Sequence, residues 1–245
     1  MGRSRRPAAT LVTLVSRHST ALYSGMVPGV VAGLYREEEA AIDLRRLCRL
    51  ARVTFVQAEI TGLDPQAREL RLEGRPPLRF DRLSLDVGAV TAVTGSAVAV
   101  KPLEPFLAWA ARRRPADAPL RIRGGGAAAV ELALAFRARG IASRLLLRGG
   151  DLHLGSSAAN RAGERLLAEA GITVERGVGS ERPADLACTG SRAPAWLAAA
   201  GLPNDPASGR VHTEACLAVV GHPHLFGSGD CGVIAAAPRP PSGVW

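Results

Sequence analysis

Gly124, Gly126 and Ala129, in the run GGGAAAVE, stand at a G-x-G-x-x-G/A spacing. That spacing has a chemical use when a strand precedes it and a helix follows. The first glycine permits a tight turn, the second lets backbone come close to a pyrophosphate, and the small third residue lets helix and strand pack closely. A pyrophosphate so placed lies on the unpaired amides of a helix N-terminus. The alternative reading is a plain tight turn. About twenty residues beyond such a turn, the end of the next strand meets the adenosine ribose, and an acid there suits unphosphorylated ribose. That position carries Arg148, which suits a 2′-phosphate, with Asp151 three residues on as an acid able to compensate. Arg123, directly before the glycines, occupies a strand position that is usually apolar.

The elements needed to position this turn are present in the pattern. Residues 120–150 read as strand, glycine turn, helix and strand within about thirty residues, the length of a β-α-β unit. A further helix and strand follow over 158–177, then ADLACTG at 184–190, then a loop-rich return ending in HLFGSGDCGVIAAAPRPPSGVW. Ahead of the unit, ATLVTLVS at 9–16 reads as a buried strand. The stretch EEEAAIDLRRLCRLA at 37–51 reads as a helix with acids in its first turn, where the helix dipole favours them. Three strands are expected in VTFVQAEITGLD, ELRLEG and LRFDRLSLDVG, joined by turns at Asp64-Pro65 and Gly74-Arg75-Pro76-Pro77. LEPFLAWAARRR gives a second helix, and the proline-bearing RPADAPL after it suits a domain crossing. The expected class is therefore α/β with a Rossmann-like core.

Composition narrows the function classes. A chain of 245 residues with 47% apolar content can bury one large core or two modest ones. No apolar run approaches the ~18 residues of a membrane span, and the arginine-rich start has no secretory core. A cytoplasmic protein is expected. The net charge of +9 comes from arginines spread along the chain, Lys101 being the lone lysine, and aromatic content is 4%. A nucleic-acid partner is not expected from so dispersed a charge and so few stacking residues. Cys48, Cys188, Cys216 and Cys231 form no C-x-x-C pair and no zinc spacing, so each reads as a small core residue. His222 and His224 in GHPHLF lack a completing ligand set and read as a turn before a strand; no metal is expected.

The chain resembles the FAD-dependent pyridine-nucleotide oxidoreductases with two dinucleotide-binding domains. It resembles especially the flavoprotein found alone or fused to selenophosphate synthetase, and more distantly type II NADH dehydrogenases. The likeness is carried by VTLVSRHSTALYSGMVPGVVAGLY, FDRLSLDVGAV, AVKPLEPFLAW, GGGAAAVELALAF, LACTGSRAPAWL and HLFGSGDCG…PRPPSGVW, in family order. It implies a Rossmann-like FAD/NAD(P)-binding fold. A nucleotide domain at 113–204 would be inserted into a discontinuous FAD-type domain at 1–112 and 205–245. Tyr23, Ser24, Gly25, Pro28 and Gly29 would line the isoalloxazine ring, glycine letting backbone approach a flat surface; a capped, proline-bearing helix entry is the other reading of that stretch. Thr189 and Gly190 match the crossover turn, and Gly229 and Asp230 match the second FAD signature, with Asp230 on the ribityl chain. Lys101 and Glu131 match positions near the nicotinamide–flavin junction, or else serve as a surface charge and an exposed helix residue.

The implied cofactors are FAD and NAD(P)H. The implied partners are a nicotinamide dinucleotide and an unidentified electron acceptor, with a homo-oligomer or a functional link to selenophosphate synthetase beyond these. The implied activity is hydride transfer from NAD(P)H to FAD and onward. The departures from the pattern favour a second reading, a truncated or degenerate relative that binds a nucleotide without turnover. No first glycine-rich loop precedes LVTLVS, and Ser16 stands where an acid often ends that strand. Too few residues separate GITVERG from ADLACTG for the usual β-meander, and the chain stops at Trp245, so truncation at both ends is expected. The cysteine pair of thiol-disulfide exchange is missing as well.

Overall fold

The structure, a computed structural model, describes residues 10–93 and 95–239. Ala9, at the head of the expected first strand, and the final run from Pro240 lie outside the described residues.

The β-α-β unit forms as its pattern requires. Strands Leu120–Arg123 and Ser143–Leu146 pair in parallel, Leu120 opposite Ser143 and Arg123 opposite Leu146. Helix Ala127–Ala138 joins them. Ile122, Leu145 and Leu146 are fully buried, as expected where a parallel sheet is covered on both faces. The helix is rich in alanine and leucine, and its fully buried Ala129 and Ala133 bring it close to the sheet. The complete sheet is parallel, in the order Val98–Ala99, Leu186–Ala187, Leu120–Arg123, Ser143–Leu146, Thr173–Glu175. Helix Ser157–Glu169 leads into the last of these in space, its start capped by the Ser156 hydroxyl accepting from the Ala159 amide at 3.1 Å. Helix Leu103–Ala110 completes the core with Phe106, whose neighbour Trp109 meets Phe136 edge-on at 6.1 Å.

Between Thr173–Glu175 and Leu186–Ala187 the chain is irregular. Arg123 explains how so short a return holds. Its side chain is nearly buried, and its guanidinium donates to the carbonyls of Gly179, at 2.9 Å, and of Arg182. A charged residue on a buried strand thus pins this loop.

The second core is assembled from distant segments. A five-stranded mixed sheet runs Gly232–Ile234, Val211–Thr213, Ala218–Val219, His222–Gly227, Leu83–Leu85. A three-stranded antiparallel sheet takes Ile60–Asp64, Glu69–Leu72 and Arg75–Arg79. Two more pairs are separate: Thr13–Ser16 parallel to Thr54–Gln57, and Thr20–Leu22 antiparallel to Ala41–Asp43.

Several local expectations are corrected. Helix Leu44–Ala51 begins seven residues later than expected, because Asp43 accepts from the Arg46 amide as its cap while Glu37–Glu39 form a separate 3-10 turn. The three expected strands of 53–88 are five, and Arg75, Pro76 and Pro77 belong to an edge strand, where proline costs no ladder bond. His222 and His224 lie within a strand, not before it. The pairing slips by a bulge at Ala218/Val219, which accommodates Pro223 between them. The expected loop-rich return contains most of a sheet. Cys48 and Cys231 are buried, but Cys216 is exposed at a hairpin turn, where Leu217 N donates to Glu214 O.

Candidate functional site

Three glycine-turn residues meet three different surroundings. At Gly124, φ is +141°, and a Cβ would fall 2.5 Å from the Cys188 carbonyl oxygen. The tight turn is needed because the neighbouring strand passes directly behind it, with the Cys188 amide donating to the Arg123 carbonyl at 2.7 Å. Gly126 is different: it caps the helix in extended conformation, no side chain caps the helix amides, and a Cβ there would meet nothing within 4 Å. The protein's own packing does not require glycine at 126. Ala129 is buried against the sheet. The arrangement leaves an open helix N-terminus at the carboxyl ends of parallel strands, which is where such sheets bind anionic nucleotides.

Arg148 lies two residues past Leu146, exposed and without an ion pair among the described residues. Asp151 is exposed on the same loop, which packs along the turn through the His153 amide to the Gly125 carbonyl at 2.8 Å. Glu131 is exposed on the helix, yet partial burial of its carboxyl raises its pKa above the usual carboxylate range.

A second cluster is drawn together across the chain. Lys101 Nζ donates to Asp230 Oδ2, with both side chains about a quarter exposed. Backbone holds Lys101 in place: its amide donates to the Thr91 hydroxyl at 3.2 Å, and its carbonyl accepts from the Thr91 amide. Thr91 pairs in turn with Ser191, in the antiparallel bridge of Val90–Thr91 with Ser191–Arg192. The Thr189 hydroxyl donates to the Ala92 carbonyl at 2.9 Å, and Gly190 follows it. Gly229 and Asp230 open the turn Gly229–Cys231. Thr91 and Ser191 were not legible as site residues, being a hundred positions apart and of common type.

The stretch from Tyr23 to Gly29 turns helical directly after the extended Tyr23. Ser24–Met26 is a 3-10 turn leading into helix Val27–Ala32, with Pro28 in its first turn. Val27 and Val31 are buried in the same core as Phe136. A Cβ at Gly29 would lie 2.6 Å from the ring of Tyr35, so the flat surface lying against this glycine is the protein's own tyrosine. Tyr23 itself is exposed.

Burial pushes the Cys188 thiol up to about 12 and raises that of Cys231 as well. Thiols held protonated are weak nucleophiles. No group of three or more metal-ligating side chains occurs among the described residues, nor any helix long and apolar enough to cross a membrane.

No protein-family model matches the chain, and no curated protein matches it in sequence. Solved structures do match. The reduced CoADR-RHD of Bacillus anthracis superposes over 91% of this chain and 46% of its own, with a TM-score of 0.74 and 14% identity. The fold is that of the nucleotide-binding domains of flavoprotein reductases. The water-forming NADH oxidase of Lactobacillus brevis, bound to NADH, gives 0.74 and 15% identity over 91% of this chain and 57% of its own. NADH:rubredoxin oxidoreductase of Clostridium acetobutylicum gives 0.75 and 11% over 94% and 64%. This chain therefore spans roughly half to two thirds of the length of the structures it matches.

Proposed function

We propose that the chain binds NAD(P)H and serves in a flavoprotein oxidoreductase that moves hydride from NAD(P)H to FAD and on to an acceptor. The supporting observation is Gly126: a glycine that the protein's packing does not need, at an uncapped helix N-terminus, facing open space. In this reading the helix amides take the pyrophosphate and Gly124 shapes the turn. Arg148 takes a 2′-phosphate, which favours NADPH, while Glu131 lies on the first turns of the same helix. The bound dinucleotide supplies the hydride. The nucleotide domain is taken as 113–204, with Val98–Ala99 and helix Leu103–Ala110 packed onto it from the preceding segment.

The flavin side fits less well. Asp230 is engaged by Lys101, Gly29 is faced by Tyr35, and the glycine-rich run from Gly227 to Gly232 opens only the 3-10 turn Gly229–Cys231 before strand Gly232–Ile234, not an α-helix. These observations favour the reading in which this polypeptide alone binds a nicotinamide dinucleotide without turnover. The two readings separate in one experiment: NADPH and NADH binding followed by fluorescence, then an absorbance spectrum after incubation with FAD and desalting. Binding with retained, NADPH-bleached flavin supports the oxidoreductase. Binding with a colourless protein supports the dinucleotide binder, and no binding of either nucleotide defeats both.

A further inference from the structure

An open cleft of about 450 Å³ lies apart from the glycine turn, between the segment 205–212 and the stretch that follows Gly232–Ile234. Its polar lining is Ser191, Asp205, Ser208, Arg210, His212 and Arg239, over an apolar wall that includes Val233. Two guanidiniums and an imidazole thus share the cleft with one carboxylate.

That carboxylate is already occupied. Asp205 Oδ2 accepts from the Ser208 amide at 2.9 Å and from the Ser208 hydroxyl, and the Ser208 contact holds its pKa below the usual range. The turn is closed by the Asp205 amide to the Arg210 carbonyl at 2.9 Å and the Gly209 amide to the Asp205 carbonyl at 2.7 Å. Asp205 forms no ion pair with Arg210. Arg210 Nη1 instead donates to the Arg239 carbonyl at 2.8 Å, while its Nε is buried with no hydrogen-bond partner among the described residues. A buried donor on a permanently charged group is costly to leave unpaired, and such an orphan calls for an acceptor. The guanidinium fork matches a carboxylate or phosphate, which can take two parallel N–H bonds.

We propose that this cleft binds a small organic oxyanion, a carboxylate or a phosphate, with Arg210 as its anchor and the Ser191 hydroxyl and His212 ring as flanking donors. The site stands independently of the nucleotide reading. The test is calorimetric titration with citrate and with inorganic pyrophosphate, run on the Gly126→Asp chain so that the glycine turn does not report. At least one probe is expected to bind, and adding Arg210→Met should weaken it tenfold or more. Citrate alone binding would assign a carboxylate, and pyrophosphate alone a phosphate. Binding of neither probe, or affinity unchanged by Arg210→Met, overturns the proposal. Should Arg210→Met fail to fold, Arg210→Lys keeps the charge but removes Nε, and an affinity it leaves unchanged overturns the anchor role equally. In an otherwise native chain, Arg210→Met should leave NADH affinity unaltered, which separates this site from the nucleotide turn.

Discussion

The half of the molecule around Leu120–Arg123 and the half around His222–Gly227 solve the same packing problem from different material. In the first, one stretch of chain lays down neighbouring parallel strands in succession, and Phe106, Phe136, Ile122 and Leu145 are sealed from solvent. In the second, four strands from 211–234 are joined by the distant Leu83–Leu85, the accompanying sheets have only two or three strands, and Leu11, Leu47 and Leu50 stay exposed beside the Thr13–Ser16 pair. The candidate sites follow suit. The glycine turn is open and uncapped, whereas Asp230, in the turn after His222–Gly227, is engaged by Lys101. A contiguous unit presents a finished binding edge; a composite one occupies its own.

The contrast can be broken at its strongest point first. Phe136→Ala empties the sealed core and should cost about 3–5 kcal/mol in denaturant unfolding. A loss below 1 kcal/mol would mean that this half is not the stable one. Next, Gly126→Asp should weaken NADPH binding ~100-fold, about 2.7 kcal/mol, through carboxylate–pyrophosphate repulsion at the helix start. The added side chain enters open space, so Tm should hold. Gly124→Ala should do the reverse in kind, lowering stability by about 1–3 kcal/mol through strained backbone and the Cys188 carbonyl. Arg148→Glu should shift the NADPH-to-NADH affinity ratio toward NADH by roughly tenfold, the size of one charge-assisted contact; a fixed ratio removes Arg148 from the ribose.

The smallest effect concerns acid. The Arg121 guanidinium donates to both Asp185 oxygens and holds that carboxyl below its usual pKa. A depressed pKa contributes stability that is complete above the ordinary value and fades as pH falls through the depressed one. Asp185→Asn should therefore flatten the acid limb of unfolding, by at most about 1 kcal/mol for so exposed a pair. Stability unchanged in its pH slope would leave the ion pair without thermodynamic weight.

What the sequence disclosed divides along the same line. The spacing of Gly124, Gly126 and Ala129 and the apolar runs beside them are local signals, and the β-α-β unit follows from them. The odd Arg123 was visible as an anomaly, but its target carbonyls at Gly179 and Arg182 are more than fifty residues away and have no side-chain signature. Of the return strands only the one holding HLF is legible; Val211–Thr213, Ala218–Val219 and Gly232–Ile234 are two or three residues long, so neither length nor alternation marks them. The helix start at Leu44 was misplaced because three glutamates imitate a first turn that Asp43 supplies instead.

The pairing of Leu83–Leu85 with Leu225–Gly227 has a kinetic consequence. Some 140 positions separate the partners, so the loop they close includes the whole of 120–187, and non-local closure is slow until its contents have become compact. Folding should accordingly begin in the contiguous unit, and amide protection at Ile122 and Leu145 should appear before any at Leu85 and Leu225.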